Sequence, residues 1–157
     1  EAGVNLEFFS NYILPTGDAE FGIKTSFNSN IGVLKMYPGI SKLAVEALTQ
    51  SPVDALIIET FGAGNTPTSP WFLDCLKAAV DSGKIVIDIS QCNSGTVALG
   101  KYETSRALKD LGVLSGYDMT FEATVTKLMF LLGNGYSKAE VGTLMESNLN
   151  GELSTTY

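Results

Sequence analysis

The chain has 157 residues, a formal net charge of −7 and no histidine. Its length suits one domain, and a composition of 45% hydrophobic and 17% charged residues is typical of a globular protein and excludes a disordered or fibrous one. The acidic charge argues against nucleic acid and against anionic membrane surfaces as partners, because both are negatively charged.

The missing histidine removes several kinds of chemistry. Ser-His and Cys-His nucleophile pairs and histidine-based zinc sites cannot form within this chain. Two cysteines, Cys75 and Cys92, are too few for the disulfide framework of a small secreted protein. The first residues lack a basic segment followed by a long apolar run, and no apolar stretch reaches the length of a membrane span. We therefore expect a cytoplasmic protein with no membrane partner.

Residues 1–30 differ from the rest of the chain. Short apolar clusters there are separated by turn-forming residues at 15–17 and 28–30. This pattern predicts a linker with one or two short strands. We accordingly divide the chain into a junction segment over residues 1–30 and an α/β domain over residues 31–157.

From residue 31 onward, strand and helix patterns alternate. Ser41, Ser69 and Ser137 are predicted helix starts, and a further helix is predicted to begin at Asp118 or Thr120. Alternation of this kind predicts βαβ units, right-handed crossovers and a small parallel sheet between two helical layers, a three-layer α/β/α fold of the Rossmann-like or flavodoxin-like class. Strands are predicted at 31–37, 55–58 and 85–89, and helices at 41–50, 70–81, 103–110, 120–132 and 137–146.

The loop at residues 61–67 follows the second predicted strand, at the sheet edge where ligands of parallel sheets bind. Its glycines do not make a dinucleotide fingerprint, because Pro67 stands at the sixth position and no helix opens directly behind them. Two interpretations remain open. The loop is a plain turn, or Gly62 and Gly64 let the backbone approach a ligand while Asn65 presents an amide that both donates and accepts.

The loop at residues 91–96 follows the third predicted strand and contains Cys92. No histidine is present to activate this thiol, so we do not interpret it as a nucleophile. Either it is a small, partly buried side chain, or it is a contact in a small effector pocket. Cys75 lies on the apolar side of a predicted helix, where we expect it to fill the core.

Three charged residues also allow two interpretations. Glu59 and Asp88 lie in or at the end of predicted strands and could bind a metal or act as acid and base, but we expect salt bridging or edge exposure. We predict no metal site and no cofactor. Lys127 lies on a mostly apolar predicted helix, where a lysine is either buried for a functional reason or, more commonly, extends to the surface.

Four segments, taken together, resemble the asparaginase family and its cytosolic type in particular. The resemblance covers about residues 31–153, nearly the whole chain. The segments are VLKMYPGI at 33–40, ALIIETFGAGN at 55–65, SQCNSG at 90–95 with GKY at 100–102, and DMTFEATVTKL at 118–128, closed by NLNGEL at 148–153.

The resemblance implies the smaller, C-terminal domain of an L-asparagine amidohydrolase. In this family the N-terminal domain contains the catalytic threonines, an aspartate and a lysine, and asparagine is converted to aspartate and ammonia through a threonine-linked acyl intermediate. The implied partners are that N-terminal domain, a second copy in a homodimer or homotetramer, and L-asparagine. The resemblance further implies that Asn65, together with Gly64, extends into the neighbouring subunit's active site and orients the substrate amine or catalytic groups.

The chain also departs from the family pattern. It has no Thr-Gly-Gly-Thr or Thr-Asp-Thr stretch, so we predict no catalytic residue in it and no amidase activity of the chain alone. Some bacterial cytosolic members bind asparagine at a regulatory site that has a cysteine at the position of Cys92 and an arginine at the position of Glu59. The carboxylate of Glu59 would repel the carboxylate of asparagine, which argues against that effector.

Two alternative functions remain. One is the asparaginase-like subunit of an archaeal amidotransferase that acts on misacylated tRNA, although the acidic charge argues against a tRNA partner. The other is a stand-alone amino-acid sensor that contains only the ligand-binding domain.

Overall fold

A computed structural model describes residues 6, 8, 17, 20–100 and 103–154. The short strands predicted before residue 20 lie almost entirely outside these residues, and residues 20–30 form neither helix nor strand. The division at residue 30 stays a prediction. The elements from residue 31 are, in chain order, β1 (Ile31–Lys35), α1 (Lys42–Thr49), β2 (Ala55–Thr60), α2 (Pro70–Asp81), β3 (Ile85–Ser90), α3 (Glu103–Asp110), β4 (Leu114–Ser115), α4 (Phe121–Gly133) and α5 (Lys138–Met145).

The four strands form one parallel sheet in the order β1-β2-β3-β4. Across the sheet, Val33 lies opposite Ile57, and Ile57 lies opposite Ile87. The central strands β2 and β3 are buried over most of their length, which explains their nearly continuous apolar sequences. β4 was not predicted from the sequence; it has only two residues and pairs with β3 through Leu114 and Ser115.

Helices cover both faces of the sheet. Because the strands follow one another in sequence, crossovers of one hand place α1, α2 and α3 on the same face, and α4 and α5 cover the other. Alternate residues of each strand point to opposite faces, so each strand contributes to two cores. The first core includes Leu34, Leu56, Ile58, Phe72, Leu76, Val86 and Leu108, and the second includes Ile57, Ile87, Leu128, Leu131, Val141 and Met145. The predicted three-layer α/β/α architecture is confirmed.

Local signals in the sequence set most helix starts. Ser41 caps α1 by accepting a hydrogen bond from the backbone N–H of residue 44, at 3.2 Å. Of the two starts considered for α4, Thr120 is the N-cap. Ser137 forms a complete capping box with Glu140 at the start of α5. None of the helices formed by the described residues is long and apolar enough to cross a membrane.

Candidate functional site

The carboxyl ends of β1, β2 and β3 are joined into one edge by hydrogen bonds from the loop after β3. The side-chain amide of Gln91 donates to the backbone carbonyl of Met36 at 2.6 Å and to that of Glu59 at 2.8 Å. The hydroxyl of Ser90 donates to the carbonyl of Gly62 at 2.6 Å. The two loops identified from the sequence therefore lie side by side at this edge.

Residues 61–65 form a closed turn, which we call the glycine loop. The backbone N–H of Asn65 donates to the carbonyl of Phe61 at 2.8 Å, and the N–H of Phe61 donates back to the carbonyl of Asn65 at 3.1 Å. Gly62 and Gly64 have φ angles of +55° and +101°, a conformation that favours glycine. The loop is thus a tight turn that places the exposed side chain of Asn65 at its end.

Close packing also disfavours a side chain at residue 64. A Cβ atom at this position would lie 3.0 Å from Oδ2 of Asp88 and 3.2 Å from Cγ1 of Val97. Both atoms belong to side chains beneath the loop, so the floor of the glycine loop is the carboxyl end of β3 and the segment that follows it. The positive φ angle and the close packing therefore both favour glycine at residue 64.

An aromatic groove of about 400 Å³ lies beside Asn65. Its aromatic side chains, Tyr37, Phe61 and Trp71, come from the loop after β1, the glycine loop and the start of α2. Tyr37 is 52% exposed and Phe61 is 37% exposed. Neither Tyr37 nor Trp71 was predicted from the sequence to be a site residue, although the position of Tyr37 after β1, at the same sheet edge, was a usable signal. The groove is lined by Tyr37, Pro38, Gly39, Ile40, Phe61, Asn65, Thr66, Pro67 and Trp71.

A second pocket, of about 620 Å³, lies at the same edge beside the start of α4, and we call it the α4 pocket. Glu59 and Cys92 both line it. Nζ of Lys35 lies 3.4 Å from Oε1 of Glu59, so the salt bridge expected for Glu59 is present. The lining consists of Lys35, Glu59, Ser90, Gln91, Cys92, Asn93, Gly95 and the residues 118–122.

The two cysteines have different surroundings. Cys92 is exposed, so the expectation of a partly buried thiol is wrong. The loop after β3 turns away from the core at this point, and the backbone N–H of Cys92 is held by the hydroxyl of Ser90 at 3.1 Å. Cys75 is buried among the residues of the first core, as predicted, and both thiols are free.

Asp88 is fully buried, so the expectation that it lies at an exposed edge is wrong. The glycine loop covers this end of β3 and excludes water from it. The hydroxyl of Thr60 donates to Oδ1 of Asp88 at 2.7 Å, whereas Oδ2 has no hydrogen-bond partner among the described residues. Burial raises the pKa of Asp88 to about 7, although the hydrogen bond from Thr60 acts in the opposite direction.

Lys127 is also buried, which contradicts the expectation that its side chain extends to the surface. Its Nζ lies 2.7 Å from Oε1 of Glu152 and donates to the backbone carbonyls of Met145 and Ser147. Burial alone would raise the pKa of Glu152, but hydrogen bonds from Lys127 and from the backbone N–H groups of residues 149 and 150 outweigh it and hold the pKa at about 2. This ion pair fastens the segment after α5 to α4.

Metal binding has no support in the described part of the chain. No group of three or more cysteine, aspartate or glutamate side chains is arranged there in a way that could hold an ion. Two carboxylates were considered for such a role. Glu59 instead forms a salt bridge with Lys35, and Asp88 accepts a hydrogen bond from the hydroxyl of Thr60.

Comparison with known proteins gives consistent matches. Residues 30–145 match the glutaminase/asparaginase C-terminal domain. The chain is 40% identical over 153 residues to L-asparaginase 1 of Escherichia coli K12, covering 98% of this chain and 45% of that protein. The crystal structure of L-asparaginase I from Vibrio cholerae superposes with a TM-score of 0.88 at 43% identity, covering 98% of this chain and 47% of that one. A more distant relative is a component of the glutamyl-tRNA(Gln) amidotransferase of Pyrococcus abyssi, 32% identical over 94% of this chain and 33% of that protein. The chain spans less than half the length of each of these proteins.

Proposed function

Because this chain belongs to the glutaminase/asparaginase family, in which it corresponds to the C-terminal domain, we propose that it is part of an L-asparaginase that hydrolyses L-asparagine to L-aspartate and ammonia. The N-terminal half of such an enzyme supplies the catalytic threonines. The resemblance to the cytosolic type supports a cytoplasmic location. In this proposal the chain alone has no amidase activity.

The role we propose for this chain is to complete the active site of a neighbouring subunit through Asn65. The observation that carries this proposal is the closed glycine loop, which presents the exposed Asn65 side chain at the carboxyl edge of the sheet. Two backbone hydrogen bonds and two glycines with positive φ fix the loop before any partner binds. An amide held in this way loses little conformational entropy when it contacts a substrate or a catalytic group.

The aromatic groove supports a protein partner at this edge. Exposed aromatic side chains such as Tyr37 and Phe61 are enriched at the centres of protein interfaces. Because Asn65 lines the same groove, a subunit that covers the aromatic side chains also comes within reach of the amide. We propose a homodimer, alone or as half of a homotetramer.

The test restores the missing half by placing the N-terminal half of Escherichia coli L-asparaginase 1 before this chain. Ammonia release from L-asparagine is measured for the fusion and for its Asn65→Ala and Asn150→Ala variants. Asn150 is an exposed asparagine in the segment after α5, so it is the matched control. We expect Asn65→Ala to lower kcat/KM by about 10- to 100-fold, the loss that follows from one hydrogen bond to a charged group, and Asn150→Ala to leave it unchanged.

A mixing experiment tests whether Asn65 acts across the subunit boundary. One subunit has its catalytic threonine replaced and retains Asn65, and the other has an intact N-terminal half and the Asn65→Ala substitution. Each homodimer is impaired. If Asn65 acts in the neighbouring subunit, the heterodimer contains one complete site and the mixture regains activity. If the mixture is no more active than its parts, Asn65 acts within its own subunit or has no role.

We propose a second role for the α4 pocket, as an effector site lined by Cys92 and Glu59. Its volume and its place at the carboxyl edge support this role. The salt bridge between Lys35 and Glu59 gives the pocket neighbouring charges of both signs, and Glu59 disfavours the carboxylate of asparagine. We expect calorimetry with L-asparagine to show no binding by this chain and to show binding after Glu59→Arg. Tight binding by the unaltered chain would favour the sensor alternative.

The amidotransferase alternative has less support. The amidotransferase component of Pyrococcus abyssi is less similar to this chain than the L-asparaginases are, and this chain covers only 33% of it. The net charge of −7 also disfavours contact with tRNA.

A further inference from the structure

The carboxyl group of Asp88 is unusual among the described residues. It is fully buried, and one of its two oxygens has no hydrogen-bond partner there. Oδ1 accepts a hydrogen bond from Thr60, whereas Oδ2 has no partner among the described residues. Oδ2 points at the glycine loop, 3.0 Å from the place where a Cβ of Gly64 would stand. Buried polar atoms are almost always paired, so this exception requires an explanation.

We propose that Asp88 is a positioning residue for the glycine loop, and that it supports the loop in its neutral, protonated form. Loss of the proton places a negative charge directly beneath Gly64 and displaces the loop toward solvent. Since Asn65 follows Gly64 directly, the same displacement removes the Asn65 amide from its working position. This last step rests on the proposed function of Asn65, whereas the movement of the loop does not.

The surroundings of Asp88 favour the neutral form. Among the described residues, Thr60 of β2, Ser115 of β4 and the backbone of the glycine loop lie beside Asp88, and none of these groups is charged. The other two side chains nearest to a Cβ at Gly64 are those of Val97 and Leu99, and both are apolar. None of the described residues supplies a cation to a carboxylate at this place, so the carboxyl group retains its proton to a higher pH than an exposed one does. Burial accordingly raises the pKa of Asp88 to about 7.

The chain contains a suitable reporter for this movement. Trp71 is its only tryptophan, and it lines the aromatic groove together with Phe61 and Asn65 at the two ends of the glycine loop. The chain has no histidine, so none of its side chains has an ordinary pKa between 5 and 8. A change in tryptophan fluorescence in that range therefore reports either the α-amino group, whose ordinary pKa is about 7.7–8.0, or a side chain with a shifted pKa. The variants below distinguish the two.

The first experiment records the tryptophan fluorescence of the 157-residue chain from pH 5 to pH 9. We expect one transition with a midpoint near pH 7, as the pKa of Asp88 indicates. Asp88→Asn, which keeps the shape and removes the titration, should abolish the transition. Thr60→Val, which removes the hydrogen bond that lowers the pKa of Asp88, should move the midpoint to higher pH.

The matched control is Asp74→Asn, which changes an exposed aspartate on the same helix as Trp71. We expect it to keep the wild-type midpoint. The proposal is overturned if the transition persists in Asp88→Asn, if Asp74→Asn abolishes it, or if the fluorescence of the unaltered chain is constant from pH 5 to pH 9.

The second experiment measures kcat/KM of the fusion enzyme between pH 6 and pH 8. If only the protonated form of Asp88 supports the loop, kcat/KM falls about 10-fold for each pH unit above the pKa, and Asp88→Asn removes this fall. If Asn65→Ala leaves kcat/KM unchanged while the fluorescence transition depends on Asp88, the proposed function of Asn65 is refuted and the inference about Asp88 stands. If Asn65→Ala lowers kcat/KM while the fluorescence does not depend on Asp88, the inference about Asp88 is refuted and the proposed function of Asn65 stands.

Discussion

The burial of Asp88 predicts that the chain loses stability as the pH rises from about 4 to about 7. The pKa of this carboxyl group is about 7 in the folded chain and 3.8 without burial. The folded state therefore binds the proton more tightly than the unfolded state does. The stabilisation is complete below pH 3.8 and is lost as the pH passes through the folded pKa.

The magnitude follows from the size of the shift. A difference of about three pH units, at 1.36 kcal/mol each, corresponds to a loss on the order of 4 kcal/mol between pH 4 and pH 8. Relative to an ordinary domain stability of about 5–15 kcal/mol, this loss is large. Asp88→Asn cannot ionise, so we expect its free energy of unfolding to stay nearly constant over the same range.

The assay is urea unfolding followed by far-UV circular dichroism at several pH values between 4.5 and 8, for the unaltered chain, Asp88→Asn and the control Asp74→Asn. The lower pH limit of 4.5 was chosen because protonation of Glu152 below that pH lowers the stability of the fold, which would oppose the effect of Asp88. We expect the curves of the unaltered chain and Asp74→Asn to fall in parallel and that of Asp88→Asn to stay flat. If the free energy of unfolding depended equally on pH in all three proteins, the reasoning would be refuted, because burial would then not have raised the pKa of Asp88.

Three further predictions concern the packing around α4 and α5. Glu152→Gln leaves the buried ammonium of Lys127 without its carboxylate, so we expect a loss of about 3 kcal/mol in urea unfolding at pH 7 that disappears near pH 2; a loss that persists at pH 2 would contradict the ion-pair explanation. Gly133→Ala places a Cβ 2.6 Å from the backbone of Phe27, so we expect limited proteolysis to cut faster before residue 28, and an unchanged cleavage rate would refute that contact. Ser137→Ala removes the capping box of α5, and we expect about 1 kcal/mol of destabilisation, with a change below about 0.3 kcal/mol counting against the cap.

Local chemistry explains why most of the fold could be predicted from the sequence. The caps at Ser41 and Ser137 act through hydrogen bonds to residues three positions later, so the signal and its effect lie in the same short segment. The glycine after α2, Gly83, has a φ angle of +88° for the same local reason. In contrast, β4 has two residues and no periodicity of its own, and it exists only because it pairs with β3.

The candidate site was less predictable, because burial depends on contacts between distant segments. The sequence placed Asp88 at a strand end, but only the packing of Gly64 above it removes it from water. Lys127 is buried because Glu152, 25 positions later in the chain, returns to pair with it. Neither contact produces a periodic pattern in the sequence from which it could have been predicted. Asn65 could be proposed as a candidate because the glycines around it mark the turn and the family resemblance implies a role for it, which stays a prediction.

The two strongly shifted carboxyl groups also determine where the chain is most stable. Glu152, with a pKa of about 2 against an ordinary value of 4.5, stabilises the fold above pH 4.5, and that stabilisation is lost as the pH falls toward 2. Asp88 acts in the opposite direction and its contribution is lost between pH 3.8 and about 7. The two windows barely overlap, so the maximum stability is expected near pH 4 to 5. At neutral pH the chain has already lost part of the support under the glycine loop, which is the segment that the proposed function requires to be held in place.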